Sequence, residues 1–415
     1  MPSLSEKLKS LGVQIGAQNV SPSKSSNPYT IEKALNGHSL ETRFGETFVI
    51  EENYPAEYRH GRGALFNNAP YRVLAQWAQD KRIQSNSKDK FVYLDTETTG
   101  LSGGSGTYAF LIGVGRFEGD NFHLAQFFMR DPIEEPAQLY ALEEFLAPCN
   151  AIVTYNGKSF DIPLLNSRFT FHGWQSPFDN LAHVDLLHLS RRLWRNRLSS
   201  RTLGNIEVQI LGAHRNEQDV PGWMIPQMYF DYLRNGDARP LKKVIYHNSM
   251  DILSLSALFH HTADLLSEPT SSTVDNKIDL IAMASLFEDL GEIERALKLY
   301  LYIVDTQDSQ YPGISDDLLI QAITSLALIF KRQGEFKLAI ELWEKAAELR
   351  DINSHIELAK YYEHKSKKYD QAIEWTGNAI NLINTDEYNL YKFRYWKPEL
   401  EYRLSRLLRK QKRAN

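Results

Sequence analysis

Apolar and polar positions change period several times along this chain. From Leu40 to Tyr54 the run LETRFGETFVIEENY alternates around Gly45, the period-2 mark of a β-hairpin. Pro70 to Ile83 is spaced as one amphipathic helix. Three strand-length apolar runs follow, FVYLD from Phe91 to Asp95, AFLIGVGRF and NFHLAQFFM, separated by TETTG and the turn EGDN. PAQLYALEEFLAP has helical period, AIVTYN reads as a buried strand, and FDIPLLNSRF opens a further helix. VDLLHLSRRLW predicts another strand-to-helix passage, and HNSMDILSLSALFHHTADLL a long closing helix. Together these predict an α/β domain over residues 89–265, with the hairpin and helix of residues 28–88 decorating it.

Before it, QNVSPSKSSNP is too polar to offset its ordering entropy, so residues 1–27 are expected to form a short helix on a flexible leader. After it, residues 266–275 read as a linker, and 276–415 carry helical period without a strand signal. FEDLGEIERALKLYLYIV and FKRQGEFKLAIELWEKAA align Gly291 with Gly334, Ala296 with Ala339 and Tyr300 with Trp343. EHKSKKYDQAIEWTGNAI sets Ala372 close to the ~34-residue tetratricopeptide period beyond Ala339. The longer first interval is accounted for by an insertion around DTQDSQYPGISDD. A small residue recurs where paired helices cross closely, which predicts stacked helix pairs.

Composition narrows the classes. The chain has 415 residues, 42% hydrophobic and 24% charged, which fits a folded protein of two or three domains. A net charge of -5, from 47 basic and 52 acidic residues, gives no general attraction to polyanions, so any such binding must use local patches. The single cysteine, Cys149, excludes an intrachain disulfide and a thiolate zinc site, and a reducing, cytoplasmic setting is expected. No run approaches the ~20 apolar residues of a membrane span, and MPSLSEKLKSLGV lacks a signal-peptide core.

DTETTG carries the sharpest chemistry. A strand sends alternate side chains to one face, so Asp95 and Glu97 project together from a rigid edge. Hard oxygen donors of this kind suit Mg²⁺ or Mn²⁺. Asp161 lies in YNGKSFDIPLL, with Phe160 as an apolar anchor beside it, and Asp251 lies in YHNSMDILSL at the start of the closing helix. Four acids in one site repel one another unless cations occupy it, which predicts a two-metal centre that activates water and stabilises a leaving oxygen. A D-x-E alone would equally suit a solvated strand end.

The order of strands and helices describes the opening of a ribonuclease-H-like α/β sheet. DTETTG, NGKSFD and HNSMD resemble the motifs holding the four metal-binding acids of DEDD-type 3′ to 5′ exonucleases. GLSGGSGTYAFLIGVG, YNGKSFDIPLL, DLLHLSRRLWR and the helical tail are similar, more narrowly, to the YprB-type ribonuclease-H-like family, from about Leu40 to Ile380. The resemblance implies metal-dependent hydrolysis of a nucleic-acid strand from an end, with Asp95, Glu97, Asp161 and Asp251 as ligands of two Mg²⁺ or Mn²⁺ ions.

The third motif departs from both standard versions, which place a histidine five, or a tyrosine four, residues before the last aspartate. Here Tyr246 is five before Asp251 and His247 four before. On a helix His247 falls within ~40° of Asp251 and Tyr246 about 140° away. His247 is therefore the candidate for taking or orienting the water, with Tyr246 the alternative if the helix starts only after Ser249.

Other features are weaker. Gly100, Gly103, Gly104 and Gly106 would let backbone amides approach a terminal nucleotide, or form a simple hairpin. Asp185, near His183 and His188, reads better as a helix cap than as a metal ligand. Arg191, Arg192, Trp194, Arg195, Arg197 and Arg201, in RRLWRNRLSSR without an acid, are the candidate nucleic-acid contacts, the arginines to phosphates and Trp194 to an unpaired base. The bland account buries Trp194 and solvates the arginines. Arg403, Arg406, Arg409, Lys410, Lys412 and Arg413 form a second basic stretch, a solvated helix or an extended binding surface.

The expected activity is a 3′ to 5′ exonuclease, DNA favoured over RNA, serving repair or nucleic-acid processing through a protein partner on the repeats, a helicase among the candidates. The rivals are an adaptor that binds without turnover and an endonuclease of ribonuclease H type.

Overall fold

A computed structural model describes residues 29–55, 57–100, 106–269, 276–305, 314–385 and 390–414. The leader expected over 1–27, most of the expected linker, the greater part of the insertion between the first two repeats, and Gly103 and Gly104 lie outside these residues.

Seven strands make one mixed sheet: β1 (His38–Thr42), β2 (Gly45–Pro55), β5 (Phe91–Thr98), β6 (Ala109–Glu118), β7 (Asn121–Phe128), β8 (Ala151–Thr154) and β9 (Ala182–Asp185). Their order is β1-β2-β7-β6-β5-β8-β9, while β3 (Arg59–His60) and β4 (Gly63–Ala64) form a separate ribbon. β5 runs antiparallel to β6 and parallel to β8, which is parallel to β9. The hairpin expected to decorate this domain extends its sheet instead: β2 pairs with β7 from Phe48 to Pro55. The run Phe48, Val49, Ile50 is buried throughout, as suits a strand covered on both faces.

The single helix expected over Pro70 to Ile83 is two pieces, α1 (Arg72–Ala78) and one turn at Arg82–Ser85. Gln79 between them is left-handed at φ 57°, and the Asp80 carboxylate accepts from the Arg82 N–H, a local bond that restarts the turn.

Alternation along β5 divides the core. Phe91 and Tyr93 pack on the face covered by α6 (Leu241–Ser267), which supplies Ile252, Leu255 and Phe259. Val92 and Leu94 face α2 (Glu135–Leu146) and α3 (Asp161–Phe171) through Leu142, Leu165 and Phe169. The β9 strand leads into α4 (Leu186–Leu193). A third cluster joins Phe110 and Phe128 to Tyr229 of α5 (Ile225–Asn235), a helix not anticipated from sequence.

The C-terminal region is all helical among the described residues: α7 (Lys277–Asp289), α8 (Ile293–Asp305), α9 (Asp316–Gln333), α10 (Phe336–Glu348), α11 (Ile352–His364), α12 (Tyr369–Thr385) and α13 (Leu390–Ala414). Each packs on the next. Ala296, Ala339 and Ala372 are buried where small residues recur, and Tyr300 and Trp343 beside the first two. The aligned glycines have another cause: Gly291 and Gly334 sit at φ 77° and 84°, the left-handed conformation that ends a helix, with open space where a Cβ would stand.

One core spans both regions. Leu186, Leu189, Leu193 and Trp194 share an apolar cluster with Leu280, Ile281, Ala284 and Phe287. Arg72 and Gln76 both reach Glu292, at 2.6 and 2.8 Å, and Arg197 pairs with Asp279 at 3.2 Å.

Candidate active site

β5 delivers the first two acids. Asp95 and Glu97 follow the alternation of Phe91 and Tyr93, and a register shift at Glu97/Thr98 ends the regular pairing with β6. Such irregularities re-aim side chains at a sheet end. Asp95 lies opposite Gly113 of β6, and Asn248 of α6 crosses that glycine to donate from Nδ2 to Asp95 Oδ2 at 2.9 Å. A Cβ on residue 113 would stand 2.0 Å from Asn248 Oδ1, so only glycine admits the contact. Gln126 holds the amide from below, donating to Asn248 Oδ1 at 2.8 Å and to the Ile245 carbonyl at 2.9 Å. Its own Oε1 accepts from Ser249 Oγ at 3.2 Å.

Asp161 opens α3 and accepts from Thr96 Oγ1 at 2.5 Å, so the residue between the two β5 acids orients the third. Asp251 stands well inside α6 rather than at its start, because the helix begins at Leu241. His247 and Asp251 therefore occupy one helical face, with Nε2 3.4 Å from Asp251 Oδ2. The Tyr246 hydroxyl is elsewhere, accepting the Asn216 N–H at 3.2 Å. The late helix start that would have favoured Tyr246 is absent.

Asp95 and Asp251, with His247, line a cavity of about 520 Å³, and Asp95, Glu97 and Asp161 line a second of about 410 Å³. Glu97, His247 and Asp251 each present a donor atom, all within 4.8 Å of one another. Burial, then the charges of Asp251, Asp161 and Glu97, hold the Asp95 carboxyl well above the ordinary range, against the pull of its bond to Asn248. Glu97 is raised likewise by burial, Asp251 and Asp161. Burial pushes Asp161 up to about 6, despite its bond to Thr96. Buried carboxylates that cannot comfortably ionise together, set on a rigid strand and two helices with an imidazole beside them, fit divalent cations.

A model of the RNase H superfamily matches residues 92–263, the span that holds all four acids. YprB, an uncharacterized protein of Bacillus subtilis strain 168, is 33% identical over 347 residues, 80% of each chain. The chain belongs to the YprB family. Its α/β region is thus an RNase H-like nuclease domain, a fold that normally works with divalent metals. A family B DNA polymerase structure from the archaeon Pyrobaculum calidifontis is also similar, at 17% identity and a TM-score of 0.33 over 51% of this chain and 29% of that one, too slight a likeness to carry an argument.

Besides Asn248, Gln126 and Thr96, three charged residues of this YprB-family site escaped the sequence reading. Arg215 donates to Asp251 Oδ1 at 2.5 Å and to Glu207 Oε2 at 2.7 Å. Burial would lower its guanidinium pKa, but the charge of Asp251 and the bond to Glu207 outweigh that and raise it. Glu207 is buried yet lowered, because bonds to His60 and Arg215 overcome its desolvation. Asp219 lies 2.7 Å and Arg215 Nη1 3.2 Å from His247 Nδ1, so that nitrogen is held between an acid and a cation while Nε2 faces Asp251. Arg215 and Asp219 stand in an irregular segment with neither period, and no motif marked them.

The basic segment needs correction. Trp194 is 1% exposed, inside the core shared with the helical region, and cannot stack on a base. Arg192 is committed to Asp289 and Ser285, and Arg197 to Asp279. Arg195 is exposed, and Arg191 and Arg201 line a separate cavity. Phe160, expected to anchor Asp161, is 56% exposed on the rim of the acidic cavity. Gly100 lines that cavity too. Asp185 caps α4 by accepting the Leu187 N–H at 3.1 Å, and also takes the N–H of Asn156 at 2.8 Å. His183 turns instead to Thr154 Oγ1 at 2.8 Å, and burial lowers its pKa to about 4.

Proposed function

We propose that the protein is a divalent-metal-dependent 3′ to 5′ exonuclease that shortens a nucleic-acid strand, DNA favoured, and that the helical region, read as tetratricopeptide-like pairs, recruits a protein partner in repair or processing. The observation that carries it is the convergence of Asp95, Glu97, Asp161 and Asp251 on contiguous cavities, where burial raises three of them and the neighbouring acids add to the rise at Asp95 and Glu97. Two Mg²⁺ or Mn²⁺ ions held by these acids would supply Lewis-acid stabilisation of the phosphodiester and ease ionisation of the attacking water.

The chain's own residues do the rest. Asn248 and Thr96 fix the rotamers of Asp95 and Asp161, so the ligands are in place before substrate arrives. Asp219 holds the His247 ring with Nε2 toward Glu97 and Asp251, where it accepts or orients the proton of the water. The exposed ring of Phe160 offers a face to the terminal base.

The test is end-labelled single- and double-stranded DNA and RNA, incubated with Mg²⁺ or Mn²⁺ and with chelator. Stepwise, chelator-sensitive shortening of the 3′ end is the expected result. Cutting of a strand blocked at both ends would show an endonuclease. The grip of Arg215 on Asp251 favours a second reading, an adaptor that binds without turnover, and binding with no cleavage in any metal would establish it.

A further inference from the structure

Beside the acidic centre lies a pocket of opposite character. It encloses about 510 Å³ and is walled by Arg191, Arg201, Ser199, Ser200, Thr202 and Asn156, among others, with no carboxylate in its lining. Tyr155 and Leu203 form a wall common to this pocket and to the cavity holding Asp95 and Asp251. Tyr155 and Asn156 are shared with the cavity of Glu97 and Asp161. A basic chamber thus stands beside the two acidic cavities, and Tyr155 lines all three.

The two arginines are placed differently from their neighbours in the sequence. Arg191 is exposed and has no hydrogen-bond or ion-pair partner among the described residues, whereas Arg192 beside it is tied to Asp289. Arg201 spends Nη1 on the Leu198 and Ser199 carbonyls, at 2.6 and 3.1 Å, while its buried Nε has no partner. The loop is braced from behind, since Tyr155 Oη donates to the Arg201 carbonyl and Asn205 Nδ2 to the Ser200 carbonyl. Guanidinium donors and hydroxyls without a competing acid are the chemistry of a phosphate site.

We propose that this pocket binds a backbone phosphate of the strand whose terminal linkage lies at the acidic centre, with Arg191 as its principal cation. This rests on the nuclease reading and gives the strand a direction across the surface: it passes Arg191 and Arg201, crosses Tyr155, and ends at the acids and Phe160. Sequence-independent grip on the backbone sits in the pocket, and the chemistry sits beyond Tyr155.

The test uses the full-length chain carrying Asp161→Asn, to suppress cleavage, with fluorescein-labelled 12-nucleotide single strands of DNA and of RNA in Mg²⁺, read by anisotropy over a series of salt concentrations. Arg191→Gln should weaken binding by about 3- to 10-fold and reduce the salt slope by about one ion. Arg191→Lys should restore both, and Arg191→Glu should weaken binding further. Equal effects on DNA and RNA are expected of a phosphate contact, and an effect confined to RNA would assign the pocket to the 2′ hydroxyl and overturn the phosphate reading. Unchanged affinity and slope in Arg191→Gln, with the parent still binding, overturns this inference alone. A parent that binds no strand overturns the nuclease reading and this one with it.

Discussion

Buried carboxylates in the two regions meet opposite electrostatic fates. In the helical region the side chain of Glu363 is fully buried, and Arg403, Arg406 and Lys410 of α13 close on it at 3.1, 2.7 and 2.8 Å. Burial acts to raise its pKa, but the bonds to Lys410 and Arg406 and the charges of Arg406 and His364 outweigh it and hold Glu363 below the ordinary range. In the α/β region Arg215 is bonded to Asp251 and its charge opposes the rise only at Glu97, so Asp95, Glu97 and Asp161 all stay raised. A buried acid supplied with its own cations holds a fold together; acids left short of cations hold a place for a ligand. The contrast also accounts for half of the C-terminal basic stretch, whose Arg403, Arg406 and Lys410 are partners of Glu363 rather than a binding surface.

The sharpest way to break the contrast is to neutralise one buried acid in each region. Asp161→Asn should reduce cleavage by at least ~10²-fold while leaving the metal-free protein as stable or more so, since it removes a carboxylate that resists ionisation. Glu363→Gln should leave cleavage of short oligonucleotides unchanged and cost about 1–3 kcal/mol, because its cations lose their partner; the two more exposed ones are partly compensated by water. Cleavage rates and chemical denaturation decide both. Equal stability losses would erase the distinction.

Next in size is the water-handling group. His247→Ala should cost about 10²- to 10⁴-fold in rate and Tyr246→Phe far less, measured as single-turnover rates. A crippled Tyr246→Phe beside a mild His247→Ala would invert the assignment.

A chain ending at Pro269 probes how independent the two regions are. It would uncover Leu186, Leu189, Leu193 and Trp194 and strand Arg197 without Asp279, so it should be insoluble or aggregate at temperatures the full chain survives. A soluble, active fragment would show that the shared core is dispensable.

The smallest effect is the link between pH and metal. The folded-state pKa of Asp161, about 6, lies above its unfolded value of ~3.8, so its contribution to stability is present below the unfolded value and lost as pH rises through 6. Cations favour the ionised form. Saturating Mn²⁺ should therefore raise the melting temperature more at pH 7.5 than at pH 5, and a larger gain at pH 5 would contradict the raised carboxyl.

The sheet strands and most helices were legible because their periods are long and unbroken, and the spacing of Asp95 with Glu97 follows from strand geometry alone. The four residues from His247 to Asp251 likewise placed both on one helical face. What escaped has no local signature. Arg215 and Asp219 gain meaning only when an irregular segment folds over α6. Asn248 stood in plain view within HNSMD, yet its task depends on a glycine on another strand. The arginines of RRLWRNRLSSR looked alike because the partners of Arg192 and Arg197, Asp289 and Asp279, both come from α7, far along the chain.

The long helix α6 joins these matters. It carries Asp251 nearer its start, while Leu265 and Leu266, near its end, belong to the cluster that runs into the helical region. From Asp251 to Ser267 the rod measures ~24 Å at 1.5 Å per residue. Pivoting by ~2.5° about its far end would carry the Asp251 carboxylate ~1 Å, about twice the ~0.5 Å tolerance within which a catalytic constellation works. The helical region therefore packs on the far end of the helix that carries Asp251, which makes the gap between Asp251 and Asp95 the first distance expected to change if those helices shift.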